Sequence, residues 1–163
     1  MYVAAKRALK GWGFQLLAGQ PPSGCDHLPV VEVKDPERIG IGSKGAYKPD
    51  LIAHRAGVFL IVECKPEHDD GDAEKLRGIL ASPARLKLLY EEIRLRRIFD
   101  RHKVITDADH FQARLRGCLA HAGAVRPIDD LYVIHTGVES DEAVLLAPLH
   151  QSEADANAFD DIR

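Results

Sequence analysis

An aspartate, a glutamate and a lysine lie at the ends of two short segments that otherwise have the composition of β-strands. Asp50 begins the first segment, and Glu63 and Lys65 end the second, which opens with the continuous apolar run 58–62. Such a run is typical of a strand covered on both faces, where charges are costly unless they have partners or a role. Two carboxylates and an ammonium group placed together could hold a divalent cation and hydrolyse a phosphodiester.

The turn residues 55–57 between the two segments predict an antiparallel hairpin. Asp50 lies six residues before Ala56 and Glu63 lies seven residues after it, so both carboxylates are expected at the open end of the hairpin. Side chains alternate along a strand, which places Glu63 and Lys65 on one face. The turn register decides whether Asp50 shares that face, and the sequence leaves this open.

The ligand types indicate which cation would suit this edge of the sheet. Oxygen ligands favour Mg²⁺, with Mn²⁺ as the alternative, and Mg²⁺ combines a small number of carboxylates with phosphate oxygens and water. We predict Asp50 and Glu63 as metal ligands, with the main-chain carbonyl of Cys64 as a further oxygen ligand. Lys65 would place a positive charge beside the attacking water or the scissile phosphate. The histidines and cysteines show no spacing typical of a zinc site.

The composition is that of a globular protein, with 163 residues of which 45% are hydrophobic and 29% charged. This length suffices for one domain with its own core. No apolar run approaches the roughly 20 residues that span a bilayer, and basic residues interrupt any stretch resembling a signal peptide. The three cysteines form no Cys-x-x-Cys pair. These features predict a cytoplasmic protein without membrane association.

The basic residues are unevenly distributed, although the net charge of −3 argues weakly against nucleic-acid binding. Residues 1–20 contain three basic residues and no acidic one, and residues 85–103 contain seven basic residues against three acidic ones. A local basic face is what phosphate contacts require. We predict nucleic-acid contacts at Lys6, Lys10, Lys48, Arg94, Arg97 and Arg101. The last three recur at helical spacings, and a merely solvated face is the alternative left open for them.

Hydrophobic periodicity predicts helices and strands in alternation. Helices are predicted over 3–12, 72–80, 83–99 and 107–122. Strands are predicted over 14–17, 30–33, a hairpin within 48–65, 131–136 and 143–149. This order indicates an α/β fold with a mixed central β-sheet flanked by helices. Residues 1–149 form the predicted domain, and residues 150–163 are expected to be an acidic, weakly ordered tail.

Pro49-Asp50, twelve further residues and then Glu63-Cys64-Lys65 resemble the PD-(D/E)xK signature of restriction-endonuclease-like nucleases. Residues 6–14 are similar to the opening of Holliday-junction resolvases, and residues 61–66 to the nuclease module of type I restriction subunits. The resemblance covers roughly residues 1–80. It implies a restriction-endonuclease-like fold and a Mg²⁺-dependent DNA endonuclease of the restriction, repair or junction-resolving type. A homodimer or a larger nuclease assembly is left open.

Two features of many such nucleases are missing from this sequence. Residues 1–25 contain no acidic residue, whereas many members supply one from the first helix, and no Gln-x-x-x-Tyr helix follows the core. Either the site would hold one metal ion, or a third carboxylate would come from Glu32, Glu37 or the loop 67–74. The alternative function is therefore a catalytically weak or inactive relative that binds nucleic acid or a partner protein.

Other polar residues near the motif are predicted to be structural or solvent-exposed. For His54, a structural role within the strand is favoured over catalysis. For His68, Asp69, Asp70 and Asp72, a solvated loop is favoured over metal ligation, because acidic residues are common in loops.

Overall fold

The structure is a computed structural model that describes residues 1–21, 27–34, 46–66, 70–122, 126–137, 143–149, 151, 153–159 and 162. The described residues form a six-stranded mixed β-sheet with helices on both faces. The predicted α/β class and mixed, helix-flanked sheet are therefore confirmed. Within the described ranges, none of the helices combines the length and the apolar character that a membrane crossing requires.

The strands lie in the sheet in the order in which they occur along the chain. The strands are β1 Gln15–Gly19, β2 Leu51–Arg55, β3 Val58–Cys64, β4 Leu115–His121, β5 Tyr132–Thr136 and β6 Ala143–Leu146. The helices are α1 Tyr2–Gly11, α2 Asp70–Leu80, α3 Pro83–Leu95, α4 Ile98–His102, α5 Ala108–Arg114 and α6 Glu153–Phe159. β3, β4 and β5 are parallel, and the other neighbours pair antiparallel.

Strand β3 lies between β2 and β4 and is buried on both faces, as its apolar run predicts. Phe59 and Ile61 point into a core that α2, α3 and α5 cover. Leu60 and Val62 point into a second core on the other face of the sheet, which α1 and α6 cover. This alternation fixes which helices can reach a given side chain of β3.

The predicted helix over 107–122 is wrong in its second half. Helix α5 ends at Arg114, and the chain continues as β4, which pairs in parallel with β3. A short apolar stretch fits a helix or a strand by local pattern alone, and here the open edge of β3 decides the outcome. Gly117 supports the strand, because a Cβ built there would lie 2.6 Å from Leu131 Cδ2.

The predicted helix over 83–99 is interrupted. Ser82 caps its start as expected, because its Oγ accepts a hydrogen bond from the Arg85 N–H at 3.4 Å. Helix α3 nevertheless ends at Leu95, and Arg97 adopts a left-handed conformation with φ of 57°. The resulting bend brings the start of α4 back onto the core, which a straight helix would not allow.

Residues 153–159 differ from the expected weakly ordered tail, because they form α6. The Phe159 ring stacks on Phe14 with 5.7 Å between ring centroids. Asp155 is only 3% exposed, and Arg116 Nε donates to its Oδ2 at 2.7 Å. An aromatic anchor and a buried ion pair hold this helix, and neither is visible in the acidic composition of the segment.

Gly78 provides a test of the helical assignment of α2. It lies inside the helix, and a Cβ built there meets nothing within 4 Å. We expect Gly78→Ala to stabilise the protein by about 1 kcal/mol, because glycine is the least favourable non-proline residue in a helix. Thermal unfolding should show a rise of about 2–4 °C. Gly13→Ala is the control that should move the opposite way, because Gly13 has φ of 79°.

Candidate active site

The β2–β3 hairpin brings Asp50 and Glu63 together. Leu51 pairs with Val62 across the hairpin, so one step further along the same register Asp50 faces Glu63. Residues that oppose each other in an antiparallel pair share a face. Glu63 lies two residues beyond Ile61, so both carboxylates are on the face that α2 covers. The structure thus answers the register question that the sequence leaves open.

The Asp50 side chain is fixed by the backbone of the neighbouring strand. The Cys64 N–H donates to Asp50 Oδ2 at 2.8 Å, and the Gln20 N–H donates to the Asp50 carbonyl at 2.9 Å. Burial raises the pKa of Asp50 above its usual range, against the Cys64 N–H and the charges of Lys75 and Lys65, which lower it. The carboxylate is therefore held in place while part of its hydration is removed.

Glu63 is only 3% exposed. Its Oε2 lies 3.2 Å from Lys75 Nζ, and its buried Oε1 forms no hydrogen bond of normal geometry among the described residues, although the Tyr47 hydroxyl interacts with the carboxylate. Burial raises the pKa of Glu63, the charge of Lys75 lowers it, the Asp50 carboxylate raises it further, and the Tyr47 hydroxyl lowers it. A buried carboxylate oxygen without a hydrogen bond of normal geometry is uncommon in proteins, and it marks a position where a ligand would be stabilised.

Lys65 lies at the mouth of the site and faces a third carboxylate. Its Nζ is 3.4 Å from Asp72 Oδ2, and the charge of Asp72 raises the pKa of Lys65. Asp72, in the first turn of α2, is 7% exposed and also raises the pKa of Asp50. Asp72 is therefore buried in the site, contrary to the expectation that it belongs to a solvated loop.

Of the acidic residues considered from the sequence as a third carboxylate, Asp72 is the one that the structure places in the site. Glu32 is engaged elsewhere, since its Oε2 lies 3.2 Å from Lys48 Nζ. Glu37, His68 and Asp69 lie outside the described residues, as does the side chain of Asp70.

Sequence reasoning did not single out Tyr47 or Lys75. The predicted strand 30–33 reduces to one bridge between Val33 and Tyr47, and this bridge places the buried Tyr47 beside the site. Burial and then the Glu63 charge raise the pKa of Tyr47 well above its ordinary value. Lys75 Nζ lies 5.0 Å from the centroid of the Tyr47 ring, in a cation–π contact. Its position three residues after Asp72 on a helix is the signal that could have revealed it.

Two histidines outside the motif lie on the same side of the same sheet edge. Leu119 of β4 pairs with Glu63, and His121 lies two residues further on the same face. His121 is buried and pairs with His135 of β5, with 6.3 Å between the ring centroids. The C-terminal ends of adjacent parallel strands are where ligands bind in many α/β proteins. The wrong helix prediction over 107–122 placed His121 on a helix, so the sequence did not indicate that it shares a sheet face with Glu63.

The lysines predicted to contact nucleic acid lie in different surroundings. Lys48 is two residues from Asp50 and forms the ion pair with Glu32. Lys6 and Lys10 lie on α1, which covers the face of the sheet opposite to Glu63. The structure therefore pairs Lys48 with Glu32 and places Lys6 and Lys10 on the face of the sheet away from Glu63.

Arg94, Arg97 and Arg101 do not form a single helical stripe. Arg94 is on α3, Arg97 is in the left-handed turn and Arg101 is on α4. The Arg97 Nε also donates to Asp100 Oδ2 at 3.1 Å, at the surface. Their predicted spacing assumed a continuous helix, which the bend after α3 interrupts.

These three arginines also lie toward the other end of the sheet. The Phe99 ring of α4 packs edge-on against Phe59, with 6.0 Å between ring centroids. Phe59 precedes Glu63 by four residues, which is about 13 Å along a strand. His54 is at this end as well, with its ring 4.7 Å from that of Phe59. Phosphate contacts at the arginines and the structural role of His54 stay predictions.

Binding of a small divalent cation by Asp50 and Glu63 stays a prediction. The two side chains face each other, and burial raises the pKa of both. Among the residues that the structure describes, no group of three or more His, Cys, Asp or Glu side chains is arranged to hold a metal ion. Further ligands would thus be main-chain, water or substrate oxygens, as Mg²⁺ commonly uses.

Comparison with known proteins returned no relative. This chain matches no protein-family model, no curated protein and no solved structure. The function is therefore argued from the geometry and chemistry of the site itself.

The raised pKa values predict how the metal-free protein responds to pH. Asp50 and Glu63 hold protons more tightly in the folded state than in the unfolded state. Their contribution to stability is thus fully present below their unfolded pKa values and is lost as pH rises through the folded ones. In EDTA, we expect Glu63→Gln to flatten this part of the curve and to raise the melting temperature near neutral pH by about 2–4 °C.

Thermal unfolding between pH 4 and 8 in EDTA measures this effect. Glu91→Gln, on the exposed surface of α3, is the control and should leave the curve unchanged. A lower melting temperature for Glu63→Gln near neutral pH would instead identify Glu63 and Lys75 as a stabilising structural ion pair.

Proposed function

We propose that this protein is a Mg²⁺-dependent nuclease with a restriction-endonuclease-like fold that hydrolyses phosphodiester bonds in DNA. The observation that carries the proposal is the pair of carboxylates, the half-buried Asp50 and the buried Glu63, which face each other at one end of the central strand β3. Lys65 follows on the same face, and the order Pro-Asp, Glu-x-Lys is that of the PD-(D/E)xK signature.

The chain would divide the chemistry among a few residues. Asp50, Glu63 and the Cys64 carbonyl would hold Mg²⁺ or Mn²⁺, which supplies Lewis-acid polarisation of the phosphate and lowers the pKa of bound water. Lys65 stays protonated beside Asp72 and would stabilise the negative charge that develops on the phosphate. The Cys64 thiol takes no part as a nucleophile, because burial raises its pKa.

A second candidate function is a catalytically inactive relative that binds nucleic acid or a partner protein. The observation that favours it is the pairing of the site's acids with lysines from the chain itself. Lys75 lies 3.2 Å from Glu63 and Lys65 lies 3.4 Å from Asp72. Such pairs can stabilise buried carboxylates without a cation.

A cleavage assay separates the two functions. Supercoiled plasmid and end-labelled oligonucleotides are incubated with the protein in Mg²⁺, Mn²⁺ or EDTA. The nuclease proposal predicts nicked or shortened DNA in either metal and intact DNA in EDTA. A Glu63→Gln variant purified in the same way controls for contaminating nuclease. Intact DNA under every condition would favour the inactive relative.

A further inference from the structure

A cleft of about 430 Å³ opens beside the candidate active site. Lys34 and Tyr47 contribute to one wall, and Glu74, Lys75, Gly78 and Arg85 contribute to the other. The first wall belongs to the segments joined by the Val33–Tyr47 bridge, and the second belongs to α2 and α3. We refer to this space, defined by these residues, as the α2 cleft.

The α2 cleft adjoins Glu63 through Lys75. The Lys75 Nζ lies 3.2 Å from Glu63 Oε2 and 5.0 Å from the centroid of the Tyr47 ring. Since Tyr47 and Lys75 line the cleft and also interact with Glu63, a chain lying in the cleft would lie next to the carboxylates.

The charge of the α2 cleft suits a polyanion. Among the described residues that line the cleft, Lys34, Lys75 and Arg85 are positively charged and Glu74 is negatively charged. The Lys75 charge is also paired with Glu63. Tyr47 is 8% exposed, so its ring is covered and does not offer a platform for stacking a base. These residues favour contacts to backbone phosphates rather than recognition of base identity.

The size of the α2 cleft favours one strand over two. Its volume is in the range of about 300–1,000 Å³ that pockets for small ligands occupy. A double helix cannot enter such a space, because its major groove alone is about 12 Å wide. A single strand is narrower, with one phosphate per about 3.4 Å along the axis in helical form and a longer spacing when extended.

We propose that the α2 cleft binds the phosphate backbone of a single nucleic-acid strand and leads that strand to Glu63. Cleavage of the strand at Glu63 rests on the proposed function. Binding of the strand rests only on the charge and shape of the cleft. Strand binding is thereby placed at Lys34 and Arg85, which the sequence analysis did not select, rather than at the arginines around α4.

Binding without cleavage tests the charge of the cleft. Fluorescence anisotropy is measured with a labelled oligo-dT in EDTA over a range of salt concentrations. The double variant Lys34→Gln/Arg85→Gln should weaken binding about tenfold. It should also reduce the salt slope by about 1.4, at roughly 0.7 for each lost phosphate contact on a single strand. The control Lys87→Gln/Lys103→Gln removes the same charge from two exposed positions outside the cleft and should change affinity less than about twofold.

A second variant tests the shape of the cleft without changing its charge. A Cβ at Gly78 meets nothing within 4 Å, so Gly78→Gln should fold and fill part of the cleft. Gly11→Gln is the matched control, since Gly11 has equally open surroundings on the other face of the sheet. We expect weaker oligo-dT binding by Gly78→Gln alone, with both variants keeping a cooperative thermal transition.

Each outcome decides between the claims. Equal binding by the Lys34/Arg85 variant and the wild type, or a larger loss in the Lys87/Lys103 control, would overturn the cleft as the strand site. An equal loss for a duplex of the same length would overturn the preference for one strand. If binding follows the expectation while Mg²⁺ supports no cleavage, the nuclease proposal falls and the cleft inference stands.

Discussion

Replacing Lys65 with glutamine is expected to lower Mg²⁺-dependent DNA cleavage by about 10²–10³-fold, the effect of losing one charge-stabilising group in an active site. Lys65 Nζ is partly exposed and lies beside the carboxylate cluster, where it would face the scissile phosphate. Its charge is maintained by Asp72, which raises its pKa. Glutamine keeps a hydrogen-bond donor near Asp72 and removes only the charge.

The control for Lys65→Gln is Lys87→Gln, which removes an exposed lysine from α3. It should leave the cleavage rate unchanged. Initial rates of plasmid nicking at saturating Mg²⁺ measure both variants, with thermal unfolding as a check on folding. If Lys65→Gln retained most of the wild-type rate while Glu63→Gln lost it, the lysine would have no part in the chemistry.

The second large effect concerns stability and the C-terminal helix. We expect Asp155→Ala to destabilise the protein by about 3 kcal/mol, because it leaves two partly buried arginine charges without their partner. Arg116 contacts both oxygens of Asp155, at 2.7 and 3.2 Å, and Arg114 lies 3.6 Å from Oδ1. Thermal unfolding should show a fall of roughly 10 °C, at about 2–4 °C per kcal/mol for a chain of this size.

Asp100→Ala is the comparison for Asp155→Ala. Asp100 pairs with Arg97 at 3.1 Å, but both side chains are largely exposed. Exposed ion pairs contribute about 0–1 kcal/mol, so this variant should unfold close to the wild-type temperature. Similar melting temperatures for the two variants would mean that the ion pair of Asp155 does not anchor α6.

The part of the site that the sequence predicted well depends on local geometry. Asp50 and Glu63 are joined by a tight hairpin, so counting residues from the turn is enough to place them at the same end. The alternation of side chains then places Lys65 on the face of Glu63. Only the register was missing, and it depends on the conformation of the turn itself.

The part that the sequence missed depends on contacts between distant segments. Strand β4 takes its conformation from pairing with β3, which overrides the helical spacing of its apolar residues. Asp72 and Lys75 reach the carboxylates because α2 begins at Asp70 and packs back over the sheet. A periodicity pattern contains no information on which strand edge a later segment will cover.

For the C-terminal segment, amino-acid composition was also insufficient to predict the structure. Its acidic residues indicate a solvated tail when they are counted, yet Asp155 and Phe159 are both buried. One aromatic residue and one carboxylate with partners elsewhere are enough to hold a short helix on the sheet. Those partners, Phe14 and Arg116, are far from α6 and from each other in the sequence and can be assigned only from the fold.

The central claim is that Asp50 and Glu63 together hold a divalent cation, and titration calorimetry with Mn²⁺ tests it most directly. The protein is first freed of metal with EDTA and then exchanged into buffer without chelator. We expect saturable binding of about one Mn²⁺ ion per chain in the wild type and its loss in the double variant Asp50→Asn/Glu63→Gln. Binding of Mn²⁺ by the double variant as strong as by the wild type, or no saturable binding by the wild type, would contradict the claim.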